Sequence, residues 1–125
     1  MIPVPPRPLS PAEHALIVRL LERAGLARGA HRSLEGLLVT ATCECGCGSI
    51  DVAPAGPAAA LAEASRVLAD AYGAVQGGHP VGLLLWGTQS RVTGLEIYAL
   101  AFDPPFELPS PDTVVDVPAD FDPAI

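Results

Sequence analysis

Three cysteines alternate in Cys43-Glu44-Cys45-Gly46-Cys47, with Gly48 directly behind them. Thiolates bind Zn2+ and Cu(I), and they are also the reactive form in thiol–disulfide exchange. Cys43, Cys45 and Cys47 are therefore candidate ligands of a zinc or other soft-metal site, with His31 or His79 available to complete a three-sulfur, one-nitrogen set. The spacing weighs against it. On a flat strand, same-face residues two apart lie roughly 6.5–7 Å from each other, whereas sulfurs sharing a tetrahedral zinc at about 2.3 Å lie under ~4 Å apart. A turn would have to fold Cys45 and Cys47 inward. The competing expectation is structural: Cys43 is a small core hydrophobe, Cys45 ends the same face, and Cys47 sits at a turn. A Cys45–Cys47 disulfide would be strained and readily reduced. The structural reading needs no cofactor, and zinc is its alternative.

Other chemistry-bearing residues are scattered. His14 falls on a helix flank, His31 in a loop and His79 before Pro80, all expected in solvent. Ser49 and Ser90 lack the strand-turn-helix context of an activated nucleophile. Gly46-Cys47-Gly48 lacks the spacing and the downstream helix of a phosphate-binding loop. Glu44, Asp51 and Glu96 are the only carboxylates near the predicted sheet, and the first two read as its solvated face. These residues argue for no particular enzyme.

The elements that must position these side chains are legible in the hydrophobic pattern. Ser10-Pro11-Ala12-Glu13 is a helix start: Ser10 caps, Pro11 occupies the first turn, and Glu13 completes a capping box. Leu16, Ile17, Leu20, Leu21 and Ala24 form one stripe, and Gly25 with Leu26 fits a left-handed helix ending, so a helix is expected over 11–24. From Leu37 the period becomes two. A hairpin with Gly46-Cys47 at its tip would pair Cys43 with Ile50, Ala41 with Val52, Thr42 with Asp51 and Glu44 with Ser49. A second hairpin, 81–86 with 92–100 around Thr88-Gln89-Ser90, would pair Val81 with Ile97, Leu83 with Leu95 and Leu85 with Thr93. Its opposite face would carry Leu84, Trp86, Val92, Glu96 and Tyr98, with Gly82 and Gly94 as gaps. Residues 58–76 fit a helical stripe and a strand; a strand over about 66–75 needs no crossover and is preferred.

The expected fold is α+β: an N-terminal amphipathic helix on an antiparallel sheet of about four to five strands in two hairpins. A proline-rich arm (1–9) precedes the domain (10–110), and an acidic, proline-containing tail (111–125) follows it. Cys45-Gly46-Cys47 with Ile50-Asp51, Gly82-Leu83-Leu84-Leu85-Trp86, Gly94-Leu95-Glu96-Ile97-Tyr98 and Glu107-Leu108-Pro109 resemble small hypothetical proteins of GC-rich bacteria. The resemblance spans roughly residues 36–112. That family has no established activity, so the resemblance implies a fold and supports a strand over 66–75.

Composition narrows the class. The chain has 125 residues and a net charge of −7, with no Lys and no Asn. Residues 102–125 hold six acidic side chains and no basic one, while the seven Arg are scattered elsewhere. Nucleic-acid binding needs clustered cations to displace counterions from phosphates, so neither nucleic acid nor an anionic bilayer is an expected partner. The start lacks the features of a signal peptide and no apolar run reaches membrane length, so the cytoplasm is expected, with reduced cysteines. Leu84, Trp86, Val92 and Tyr98 would make a sheet face too apolar to stand bare on a monomer, and Trp86, Tyr98, Leu84 and Glu96 are its candidate partner-binding residues. The leading expectation is a protein-binding or accessory module that uses this face for a partner or a second copy. Part of the face would be covered by the tail through Phe102, Phe106 and Leu108. The alternative is a zinc-binding or thiol-redox protein using the cysteine hairpin.

Overall fold

A computed structural model describes residues 1–29, 31, 34–55, 64–101 and 103–116. The helix forms as its caps require: α1 (Pro11–Arg23) starts with Ser10 Oγ accepting from the Glu13 amide at 3.1 Å, and Glu13 Oε1 accepting from the Ser10 amide at 2.8 Å. At its end the Leu26 amide donates to Leu21 O and the Gly25 amide to Glu22 O, with Gly25 at φ 74°. This is the double hydrogen bond of a Schellman ending. Leu16, Ile17, Leu20 and Leu21 are fully buried.

The remaining elements are strands: β1 (Ile2–Pro8), β2 (Leu37–Thr42), β3 (Ile50–Pro54), β4 (Arg66–Val75), β5 (His79–Gly87), β6 (Val92–Ala99) and β7 (Val115–Asp116). They make one open antiparallel sheet in the order β1-β2-β3-β6-β5-β4-β7. Seven strands replace the four to five expected. The two extra ones are the edges: the proline-rich arm pairs along β2 as β1, and a two-residue β7 pairs with β4. Proline is tolerated there because an edge strand can leave one side unpaired. The strand preferred over 66–75 forms with those bounds. The upstream part of that ambiguous stretch, from 58 to 63, lies outside the described residues, as do Phe102 and the tail from 117 onward.

Both hairpins form, in shifted registers. In the second, Leu83 pairs with Ile97 and Leu85 with Leu95, two residues from the expected partners, and an irregularity beside Trp86 and Gly87 sets Gly87 opposite Val92. A shift of two keeps every residue on its face, so hydrophobic alternation cannot detect it. The irregularity does carry Val92 to the helix-facing side, where it is buried, rather than to the opposite face. In the first hairpin Thr42 pairs with Ile50 and Val39 with Val52, with the slip beside Thr40. Cys43 and Ser49 therefore stand outside the ladder, joined by Cys43 N donating to Ser49 O.

The sheet has an inner face, bearing Val52, Ile50, Leu95, Ile97, Leu83, Leu85 and Ala71 in one cluster with the helix, and an outer face bearing Asp51, Glu96, Tyr98, Leu84 and Trp86. Helix α1 lies against β4 and the turn at Pro111–Thr113. A helix about 10 Å across covers roughly two strands at 4.8 Å spacing, which leaves inner-face residues of β6 without a cover. The segment after β6 supplies it. Pro109 packs on Gly73 and Leu83, Leu108 on Gly48 and Ile97, and Phe106 and Val114 join the core. The expectation that Phe106 and Leu108 cover the outer face is thus corrected: they lie on the inner one.

Candidate functional site

The cysteine turn is bent by two glycines at positive φ, Gly46 at 81° and Gly48 at 95°, where a side chain would be strained. Packing reinforces the need. A Cβ on Gly46 would lie 2.6 Å from Pro105 Cβ, and one on Gly48 2.8 Å from Leu108 Cδ2. The Phe106 amide donates to Gly46 O at 3.2 Å, so the segment after β6 clasps the turn. The turn curls where a flat strand would keep the cysteines apart, and the three Sγ atoms lie within 4.8 Å of one another. The flat-strand objection to a shared metal therefore does not apply.

Burial reverses the expected order. Cys43 is half-buried at the core margin, Cys45 is exposed, and Cys47, expected at the tip, is buried at 6 % exposure. Cys43 Sγ and Cys45 Sγ are 2.9 Å apart. Hydrogen bonding from Cys45 lowers the Cys43 pKa, and the same contact raises that of Cys45 to about 11. Of the two, Cys43 is the thiol that ionises more readily. Cys47 Sγ lies 3.2 Å from Ser49 Oγ.

Ser49 holds this turn to the sheet. Its Oγ accepts from the Ile97 amide at 2.8 Å and donates to Ile97 O at 3.1 Å, filling the place of a strand partner beyond the end of β3. Its partner lies 48 residues away in sequence, and no local pattern announces it.

The turn forms one wall of a groove of about 760 Å³ that opens onto the outer face. Trp86, Glu96 and Tyr98 line it together with all three cysteines, so residues expected to serve two separate roles share one site. Leu84 is on the same face, half-buried, and does not line the groove. Trp86 Nε1 donates to Glu96 Oε1 at 3.2 Å. The two gaps in the strands prove to serve this face. Tyr98 lies directly over its cross-strand partner Gly82, where any Cβ would fall inside the ring. Asp51 Oδ1 comes within 3.4 Å of a Cβ position on Gly94, which faces Trp86 across the strands. Burial, with a contribution from Asp70, raises the Tyr98 pKa and keeps the phenol neutral.

The histidines do not complete the set. His31 is buried, not solvated, with Nε2 bonded to Thr88 O. His79 is exposed at the start of β5. Among the described residues, the group able to hold a metal consists of the three cysteines. A fourth ligand would have to come from the groove side. No helix among the described residues is long and apolar enough to cross a membrane. No family model, curated protein or solved structure matches this chain.

Proposed function

We propose that this chain is a soft-metal-binding domain in which Cys43, Cys45 and Cys47 hold one zinc ion as thiolates, with the fourth position open to the groove. The observation that carries this reading is the convergence of the three Sγ atoms within 4.8 Å, close to the ~4 Å limit set by zinc–sulfur bonds of about 2.3 Å. Two left-handed glycines and the clasp from Pro105 and Phe106 hold the turn in that shape before any ion arrives. Three protein ligands with an open fourth position are the arrangement of zinc sites that also take a ligand. The test is titration of the reduced full chain with Co2+, followed by displacement with Zn2+. Stoichiometric binding with intense thiolate charge-transfer absorption is expected, and Cys45→Ser, at an exposed position, should abolish it while the circular dichroism is unchanged. Absorption without thiolate bands, or bands that survive Cys45→Ser, would overturn the proposal.

A second reading, thiol redox chemistry, is favoured by the 2.9 Å Cys43–Cys45 contact and by the opposite pKa shifts of the pair. Cys43 thiolate would attack the disulfide of a low-molecular-weight oxidant and expel one thiolate. Cys45 would then attack the mixed disulfide and release the second, leaving a Cys43–Cys45 bond. Mass spectrometry after exposure to oxidised glutathione separates the readings: loss of two hydrogens localised to this pair supports redox chemistry.

A further inference from the structure

The outer-face groove has a chemistry of its own, apart from the sulfurs. Two carboxylates, Asp51 and Glu96, line it, and no basic side chain does among the described residues. Asp51 and Trp86 stand on either side of Gly94, where the missing side chain leaves a recess, and Trp86 reaches from that recess to Glu96. The Trp86–Glu96 hydrogen bond uses Oε1 and leaves Oε2 to a ligand. Much of the remaining wall is apolar, contributed by Trp86, Tyr98, Ala99 and Pro104. A volume of about 760 Å³ lies within the usual range of roughly 300–1,000 Å³ for small-molecule sites.

We infer that this groove binds a small organic cation with an apolar body, its charged group over Gly94 between Asp51, Glu96 and the indole of Trp86. The indole face attracts a cation through its quadrupole, and the two carboxylates supply the countercharge. A ligand anion at that end would meet both carboxylates, because the cationic group among the described lining residues, the Met1 ammonium, lies on the side of Cys43. The apolar body would lie along β6 towards Tyr98, a span of about four residues or roughly 13 Å. This site does not depend on a metal at the cysteines, and the two proposals fail separately.

The chain contains a single tryptophan, so Trp86 emission reports on this groove alone. Phenethylamine and phenylacetate, matched in their apolar body and opposite in charge, are titrated into the full chain. Saturable change with phenethylamine is expected, with phenylacetate at least about tenfold weaker. Asp51→Asn and Glu96→Gln, both at exposed positions, should each weaken phenethylamine roughly fivefold to tenfold. A Cys43→Ser/Cys45→Ser chain should bind it as the parent does. Equal binding of the two probes, no saturable change with phenethylamine, unchanged affinity in both carboxylate variants, or loss of binding in the double serine variant would each overturn the inference. So would a response confined to Arg- or Lys-containing peptides.

Discussion

Replacing Ser49 by Ala removes one oxygen atom that satisfies two buried backbone groups. The Ile97 amide donates to Ser49 Oγ at 2.8 Å, and Ser49 donates to Ile97 O at 3.1 Å. Ser49 is 7 % exposed and Ile97 2 %, so neither bond is a surface contact. A buried donor or acceptor left without a partner costs about 1–3 kcal/mol, and two such groups set an upper figure near 6 kcal/mol. Both residues line the groove, so water can re-solvate part of the loss, and the expected destabilisation is about 2–4 kcal/mol. Ala is nearly isosteric with Ser, so no cavity term adds to it. Urea unfolding followed by far-UV circular dichroism measures the change as a lower midpoint at unchanged m-value. The same substitution removes the acceptor of Cys47 Sγ and frees the turn from β6, so Cys47 should become alkylated faster. A loss below about 0.5 kcal/mol, together with unchanged Cys47 protection, would refute the role given to Ser49 in tying the cysteine turn to the sheet.

In reduced, metal-free protein Cys47 should be alkylated last, because it is buried, while Cys43 and Cys45 are accessible. Near neutral pH Cys43 should lead, since its pKa is lowered by the Cys45 hydrogen bond, and Cys45 should accelerate as the pH approaches its raised value of about 11; peptide mapping of iodoacetamide adducts over time checks the order. Burial opposes ionisation of Glu13, but the bonds from Arg7 at 2.8 and 3.0 Å and from the Ser10 amide prevail and lower its pKa. Its contribution is therefore complete above the unfolded value near 4.5 and disappears as pH falls through the lower folded value. Glu13→Gln should cost about 1–2 kcal/mol at pH 7, modest because Arg7 is half in solvent, and the gap in unfolding free energy should close towards pH 3. Truncation after Ala101 removes Phe106 and Val114 from the core and uncovers Ile97. At about 1.5–3 kcal/mol per buried large side chain, the loss should be roughly 3–6 kcal/mol with new binding of an apolar dye, and near-parental stability would count against the inner-face position of this segment.

Local signals decided the parts of this protein whose interactions are local. Ser10, Pro11, Glu13, Gly25 and Leu26 specify both ends of α1 because caps bind within a few residues of themselves. Alternation over 81–86 and 92–100 assigned Leu83, Leu85, Leu95 and Ile97 to one face and Trp86, Glu96 and Tyr98 to the other. Period-two patterns report faces but are blind to even shifts in pairing, and the second hairpin duly slipped by two. Gly82 and Gly94 were visible as gaps, and only their cross-strand neighbours, Tyr98 and Trp86, show what fills or borders them.

Tertiary structure alone decided the rest. The cysteines were legible as candidate ligands, but their convergence depends on Pro105, Phe106 and Leu108 arriving from the far side of β6 to hold the turn, and on Ser49 reaching Ile97. The proline-rich arm became an edge strand because β2 offered it a partner, and the segment after β6 took the inner face because a single helix cannot span a seven-stranded sheet. That choice leaves the outer face open, so the cysteines, Trp86, Glu96 and Tyr98 meet in one groove. Residues as far apart in sequence as Cys43 and Tyr98 define the site, and such contacts are fixed by how the whole chain shares out its apolar surface, which a local pattern does not encode.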